Sequence, residues 1–292
     1  MNITKILQSN KIHPSYYKYK SIYKNCKKKR LTIDKKVIKK NILNNKSKPL
    51  VSIITVVKDS STYIEKTIKS VLTQSYRNIE YIIIEGKSKD NSLLKIKKFR
   101  EKLSIILSEK DNGIFDAMNK GIILSKGSII GIINSGDIFK KNAVYTVVNN
   151  INNYDYIFGP VKKNRILFNY KPNQINYKFN IFPSHSVSFF IKKRIHLELG
   201  LYNINFKLSA DNDFIYKLIK NKKKYRIFKP NNIFGECQPH NFSKKISLID
   251  HLTEEMKIRI GNRQNLFFVF GLFFTKLIYS FFYFFRNFFS RL

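Results

Sequence analysis

The chain has 292 residues, 43% of them hydrophobic, and a formal net charge of +36. That length holds one large α/β domain or two small ones, and that charge favours phosphate-rich partners, an anionic membrane surface or nucleic acid. The two cysteines, Cys26 and Cys237, exclude a disulfide framework and a cysteine-based zinc site, which fits a reducing compartment.

In chain order, residues 1–48 are basic and poor in apolar periodicity; residues 1–49 hold 15 Lys/Arg against one acid, Asp34. They are expected to form a disordered or surface-bound extension. The first residues lack the continuous apolar core of a signal peptide, so export is not expected. After the extended Lys48-Pro49-Leu50, Val51–Val57 (VSIITVV) has the β-branched apolar run of a buried strand. Thr62 and Glu65 match a capping box. Ile64, Ile68, Val71 and Leu72 then fall on one face of a helix. Glu80–Ile84 is a second strand and ends on a polar turn running from Glu85 to Asp90. Leu103–Leu107 is a third strand, and Phe115, Met118 and Ile122 mark a short helix. Ser128–Ile133 is a fourth strand, stopping on Asn134-Ser135-Gly136-Asp137.

Strands that are apolar throughout and alternate with helices predict a parallel sheet covered on both faces. Ligands of such sheets bind beyond the carboxyl ends of the strands. Three strand ends carry polar clusters, Lys58-Asp59, Glu85 to Asp90, and Asn134 to Asp137, and these are predicted to converge on one crevice.

Past the sheet, Asp211 and Asp213 precede an apolar helix, FIYKLI, and either could cap it. Ile246–Arg263 has a helical pattern, followed by the Phe-rich stretch Leu266–Leu292. No acid occurs from Lys257 onward. Lys276 falls in the middle of the apolar run, where a bilayer centre would cost it roughly 2.5–3.5 kcal/mol. An in-plane helix with Lys276 snorkelling to the headgroups accounts best for this; a true span and packing against protein stay open.

Taken in order, PLVSIITVVKDSSTYIEKTIKSVLTQSYRNIEYIIIEGKSKDNS, SEKDNGIFDAMNKGIILSKGSIIGIINSGDIF and PSHSVSFFIKKRIHLELGLYNINFKLSADNDFIYKLI resemble the family 2 glycosyltransferases with the GT-A fold. The bacterial subgroup of exopolysaccharide and lipopolysaccharide assembly is the nearest in pattern. The likeness spans 49–245, leaving 1–48 as a basic extension and 246–292 as a helical, aromatic-rich, membrane-associating tail.

The resemblance implies an α/β GT-A fold with a mostly parallel central sheet. It implies transfer, with inversion, from a nucleotide-sugar donor to a lipid-linked or polysaccharide acceptor, with Mg²⁺ or Mn²⁺ as cofactor. It assigns Asp211 as catalytic base. Thr55 and Val57 would line the nucleobase pocket. Glu85 stands where the family usually has the first Asp of Asp-Gly-Gly-Ser-Thr-Asp; it would meet base or ribose, with Asp90 in the same turn. Asp111, Asn112 and Gly113 would shape the donor pocket, with Asn119 behind them. His185 and Asp213 would lie near the diphosphate or acceptor. The family's Asp-X-Asp is reduced here: Asn134 and Gly136 replace acids, leaving Asp137 as the expected metal ligand. The implied location is the cytoplasm, peripheral at the inner face of the plasma membrane. No specific nucleic acid is expected, because no binding motif accompanies the charge. A catalytically impaired scaffold is the alternative that the missing acids suggest.

Overall fold

The structure is a computed structural model that describes residues 13, 15, 16, 30–32, 48–167, 170, 172–176, 186–237 and 247–289. A short strand β1 (Arg30–Thr32) is followed by β2 (Val51–Val57), α1 (Ile64–Leu72), β3 (Ile79–Glu85), α2 (Ser92–Lys97), β4 (Ile105–Ser108), α3 (Ile114–Leu124) and β5 (Ile129–Asn134). Then come β6 (Ile138–Phe139), α4 (Ala143–Asn150), β7 (Tyr156–Phe158), β8 (Val161–Lys162), β9 (Ile166–Leu167), β10 (Phe189–Lys192) and α5 (Lys193–Leu199). The chain continues with α6 (Ala210–Lys220), β11 (Ile227–Phe228), β12 (Gly235–Glu236), α7 (Leu248–Gly261) and α8 (Leu266–Phe289).

The main sheet has the order β1-β4-β3-β2-β5-β10-β7-β11, and a smaller sheet runs β6-β12-β8-β9. The four apolar strands read from the sequence, β2 to β5, pair in parallel. Their side chains alternate between two buried layers, as a period of two demands. Ile54, Ile82 and Ile132 pack with Phe115, Met118 and Ile122 of α3 and with Phe214 and Leu218 of α6. Ile53, Ile83 and Ile133 pack on the other face with Ile64, Ile68 and Val71 of α1 and with Val144 and Val147 of α4. Both faces being covered explains why these strands have no polar side.

β10 is antiparallel to both β5 and β7, so the sheet is mixed beyond β5. At the opposite edge β1 adds antiparallel to β4. His13 donates its backbone N–H to Leu197 at 2.7 Å, and Tyr16 is part of the core. The described pieces of the basic extension therefore touch the domain. The expected capping box does not form: Tyr63 occupies the cap position of α1, and no side chain caps the helix. The Ser60 carbonyl accepts from Tyr63 and Ile64 instead, which leaves Thr62 inside a turn.

α8 leaves large apolar side chains in solvent, with Phe267 83% and Phe282 68% exposed. No helix among the described residues is long and apolar enough to cross a membrane.

Candidate active site

The carboxyl ends of β2, β3 and β5 lie side by side, because the register pairs Val57 with Glu85 and Val56 with Asn134. The three polar strand ends thus converge as the topology requires.

The turns after β2 and β3 are bonded to each other. Asp59 accepts the N–H of Lys89 at 2.6 Å, and its own N–H donates to Ser88 Oγ at 3.0 Å. The Lys58 ammonium donates to the carbonyls of Gly86 and Lys87. Asp90 accepts from Ser61 N at 2.8 Å and Ser92 N at 2.9 Å. Burial works against the Asp90 charge, but the bonds from Ser92 and Ser61 outweigh it and hold the carboxyl down to about 2. Asp90 thus ties the turn after β3 to Ser61 beyond β2 while staying exposed at the crevice rim.

Three further residues expected at the donor lie beside this turn. Glu85 is fully buried, and its two oxygens accept from Ser88 N and Ser108 Oγ, each at 2.5 Å. It fixes the turn from beneath. Thr55 is enclosed, its hydroxyl 3.0 Å from that of Tyr81. Val57 is buried in the layer under α1. Odd-numbered positions of β2 face that layer.

Beyond β4, Asp111 stays half-buried while Asn112 and Gly113 are exposed. Burial pushes the Asp111 carboxyl up, against the Gly113 N–H and the Lys120 charge. Gly113 has φ +111°, a conformation that favours glycine at the start of α3. The loop rests on groups that the sequence reading passed over. Buried Lys120 pairs with Glu109 at 2.9 Å and Asp116 at 3.5 Å, and Asp116 accepts from Asn112 N at 3.0 Å. Two opposite charges four residues apart within an otherwise apolar helix were the available signal. Behind the loop, the Asn119 amide accepts from Tyr202 N at 3.0 Å and donates to Tyr202 O at 2.8 Å. It is a buried clamp on the Tyr202 segment.

At the end of β5, Asn134 donates to Ser186 Oγ at 3.1 Å. Its amide oxygen is buried and has no hydrogen-bond partner among the described residues. Gly136 turns the chain at φ +106° and donates its N–H to Thr67 Oγ1 at 2.8 Å; the Thr67 hydroxyl in turn donates to Asp137 O at 2.9 Å. Asp137 emerges from that turn fully enclosed, with 0% exposure. Its carboxylate is enclosed in this fold, and its assignment as metal ligand rests on the resemblance. Among the described residues no group of three or more His, Cys, Asp or Glu could hold a metal ion. Asn134 and Gly136 add no carboxylate, so this strand end does not fit a cation held by protein acids.

Ser209 occupies the cap position of α6, so neither Asp211 nor Asp213 caps the helix. Asp213 is buried and committed on both oxygens, to Lys217 Nζ at 2.6 Å and Asn262 Nδ2 at 2.8 Å. That makes it a structural tie between α6 and Asn262 just past α7. Asp211 is partly exposed and accepts from Asn212 N at 3.0 Å. Tyr202 lies within range of the Asp211 charge; burial first, and that charge second, push its hydroxyl up. His185 lies outside the described residues.

The family model described as glycosyl transferase family 2 matches residues 52–242. An uncharacterised glycosyltransferase of Rickettsia typhi is 27% identical over 193 residues, covering 60% of each chain. The putative teichuronic acid biosynthesis glycosyltransferase TuaG of Bacillus subtilis is 35% identical over 98 residues, 32% of this chain and 39% of that one. The chain thus matches about three fifths of the length of relatives such as the Rickettsia proteins. Among solved structures, S. aureus TarS in complex with UDP-GlcNAc has a TM-score of 0.60 at 15% identity, covering 72% of this chain and 66% of that one. The mannosyltransferase PcManGT of Pyrobaculum calidifontis, with GDP-Man and Mn²⁺, has a TM-score of 0.55 at 14% identity, covering 90% and 76%. These structures share the fold, a mixed α/β GT-A architecture. Matched through the sheet, the crevice turns and the helix bearing Asp211, the chain belongs to glycosyl transferase family 2.

Proposed function

We propose that the chain transfers a sugar, with inversion, from a nucleotide-sugar donor to a hydroxyl of a lipid-linked or polysaccharide acceptor in cell-surface glycan assembly. The observation that carries this reading is the contrast at the start of α6: Asp213 is spent on Lys217 and Asn262, while Asp211 stays partly open to solvent. An inverting displacement needs one carboxylate placed to accept a proton. In this reading Asp211 takes the proton of the acceptor hydroxyl as its oxygen attacks the anomeric carbon. The bond from that carbon to the diphosphate breaks, and the nucleoside diphosphate leaves with the electron pair. Exposed Lys87 and Lys89 at the crevice rim give the leaving group a basic surrounding.

The site is presented at a membrane surface by α8, whose exposed phenylalanines would enter the acyl boundary. Basic side chains beside it would meet anionic headgroups. That placement suits the cytoplasmic leaflet, where a lipid-linked acceptor would lie.

Asp211→Asn tests the reading. Release of nucleoside diphosphate from UDP and GDP sugars should vanish, while donor-induced thermal stabilisation persists. A variant that keeps turning over would overturn Asp211 as base. The enclosed Asp137 and the acid-free positions 134 and 136 favour a second reading, an impaired scaffold. Donor binding by the wild type with no turnover on any acceptor would decide for it.

A further inference from the structure

α7 begins beyond the family match and has the sequence pattern of a tail, yet it grips the turn that carries Asp211 from end to end. Glu254 accepts the backbone N–H of Lys207 at 2.5 Å and of Leu208 at 2.9 Å. His251 Nδ1 lies 3.2 Å from Ser209 Oγ. Asn212 Nδ2 donates to Glu255 Oε2 at 3.3 Å. Asn262, just past the helix, holds Asp213. Asp211 stands inside this series of holds, and its own carboxylate accepts from the Asn212 backbone at 3.0 Å.

The middle hold is the unusual one. Glu255 is buried, and its other oxygen accepts from Arg259 Nε at 3.1 Å. Arg259 is 0% exposed and also donates to Ile175 O at 2.7 Å and Gln264 Oε1 at 2.8 Å. Tyr216 of α6 donates to the same Gln264 oxygen at 2.9 Å. An apolar pair would hold two helices together at least as well as a buried ion pair. What the carboxylate and the guanidinium fork add is direction, since each bond fixes an angle as well as a distance. Burial pushes the Glu255 carboxyl up against the pull of Arg259, and the Asp211 charge adds to that push, so the two carboxyls share one electrostatic neighbourhood.

We infer that Glu255, anchored by Arg259, is a positioning residue for Asp211: through Asn212 it sets the direction in which the base carboxylate faces the incoming hydroxyl. The inference rests on the reading of Asp211 as the base. It makes α7 part of the transfer apparatus instead of a spacer to α8.

The test uses the full chain with UDP-GlcNAc and GDP-mannose as probe donors, measuring nucleoside diphosphate release and donor affinity. Asn212→Ala cuts the link and leaves the Glu255–Arg259 pair intact; Glu255→Gln weakens the pair itself, and the two are also combined. Each single variant should lower kcat by about 10- to 100-fold, the scale of a misplaced catalytic group, with donor KM within about twofold. The double variant should be no slower than the slower single, because both act through one contact. A purely structural role would instead lower the melting temperature and leave kcat per donor-binding site unchanged. Should Glu255→Gln fail to fold, Asn212→Ala still decides. The inference is overturned if Asn212→Ala keeps wild-type kcat while Asp211→Asn is dead, or if the two losses multiply. Retained turnover in Asp211→Asn would instead sink the base assignment, and this inference with it.

Discussion

The carboxylate of Asp111 rests against the bare Cα of Gly86, and a methyl group placed there would overlap it. Glycine at the end of β3 is thus what lets the loop after β4 close on the crevice. Gly86 does not have a positive φ, so alanine is tolerated by the backbone. Gly86→Ala should leave the melting temperature nearly unchanged, because the group displaced is the far end of a side chain. Donor affinity should fall roughly 10- to 100-fold, the value of about 1–3 kcal/mol carried by a small pocket contact. Isothermal titration with UDP- and GDP-sugars checks this; unchanged affinity would remove Asp111 from the donor pocket.

Lys87 adopts φ +56°, a left-handed conformation, one residue after that glycine. The resembling family usually has a second glycine here, and the backbone shows why. A left-handed L-residue costs roughly 1–2 kcal/mol, part of which glycine gives back through its freer unfolded chain. Lys87→Gly should therefore stabilise the protein by about 0.5–1 kcal/mol, seen as a higher urea midpoint with an unchanged m-value. A lower midpoint would mean that the Lys87 side chain holds the turn by contacts outweighing the strain.

Buried Lys120 neutralises Glu109 and Asp116 under the Asp111 loop. Lys120→Met preserves length and removes the charge, leaving two carboxylates facing each other. The expected loss is roughly 3 kcal/mol, the low end for a broken buried pair, because Glu109 keeps some access to water. Denaturant unfolding measures it. Asp116→Asn in the same background should restore part of the loss, and its failure to do so would mean that the ion pair is not what holds the loop.

The parts of this fold that are legible in the sequence are those that local pattern controls. VSIITVV, EYIII and GSIIGII are apolar at most positions and on both faces, which forces two-sided burial, and the parallel register then brings their polar ends together. What pattern cannot show is which partner consumes a polar group. Glu85 looks available until Ser108 arrives from the next strand, and the enclosure of Asp137 is equally invisible in the pattern. FFIK in β10 has the same apolar character in either direction, so its antiparallel insertion left no trace. Glu255 and Arg259 sit four apart on a helix that also bears solvated charge, and nothing in one sequence marks them as buried.

The acid-poor end of β5 predicts how a cation behaves here. With Asp137 enclosed and no three-acid cluster among the described residues, the protein alone should bind no Mn²⁺ measurably. Titration followed by the electron paramagnetic resonance signal of free Mn²⁺ should show the ion staying free. Adding UDP or GDP should take up no more Mn²⁺ than the nucleotide does by itself. Tight binding to the protein without nucleotide would place a metal site here.

His196 gives the fold a built-in acid sensitivity. Its ring is fully buried and stacked on Phe214 with centroids 4.5 Å apart. Burial outweighs a bond with the Gly200 backbone and, with a smaller push from the Lys193 charge, lowers its pKa from 6.5 to about 3. The unfolded chain therefore takes up a proton near pH 6.5 that the folded chain refuses until near pH 3. Stability is fully present above pH 6.5 and is lost as pH falls through that window, by up to about 1.4 kcal/mol per unit. Glu255, whose carboxyl is raised by burial to about 7, contributes the opposite slope, so the wild type alone does not isolate the histidine. His196→Phe keeps the stack and removes the titration, while Glu255 stays the same in both proteins. The difference in unfolding free energy between variant and wild type should widen in favour of the variant from pH 6.5 to pH 5, measured by urea unfolding. Parallel pH profiles would show that His196 is protonated in the folded chain, and that the pocket between α5 and α6 admits a charge.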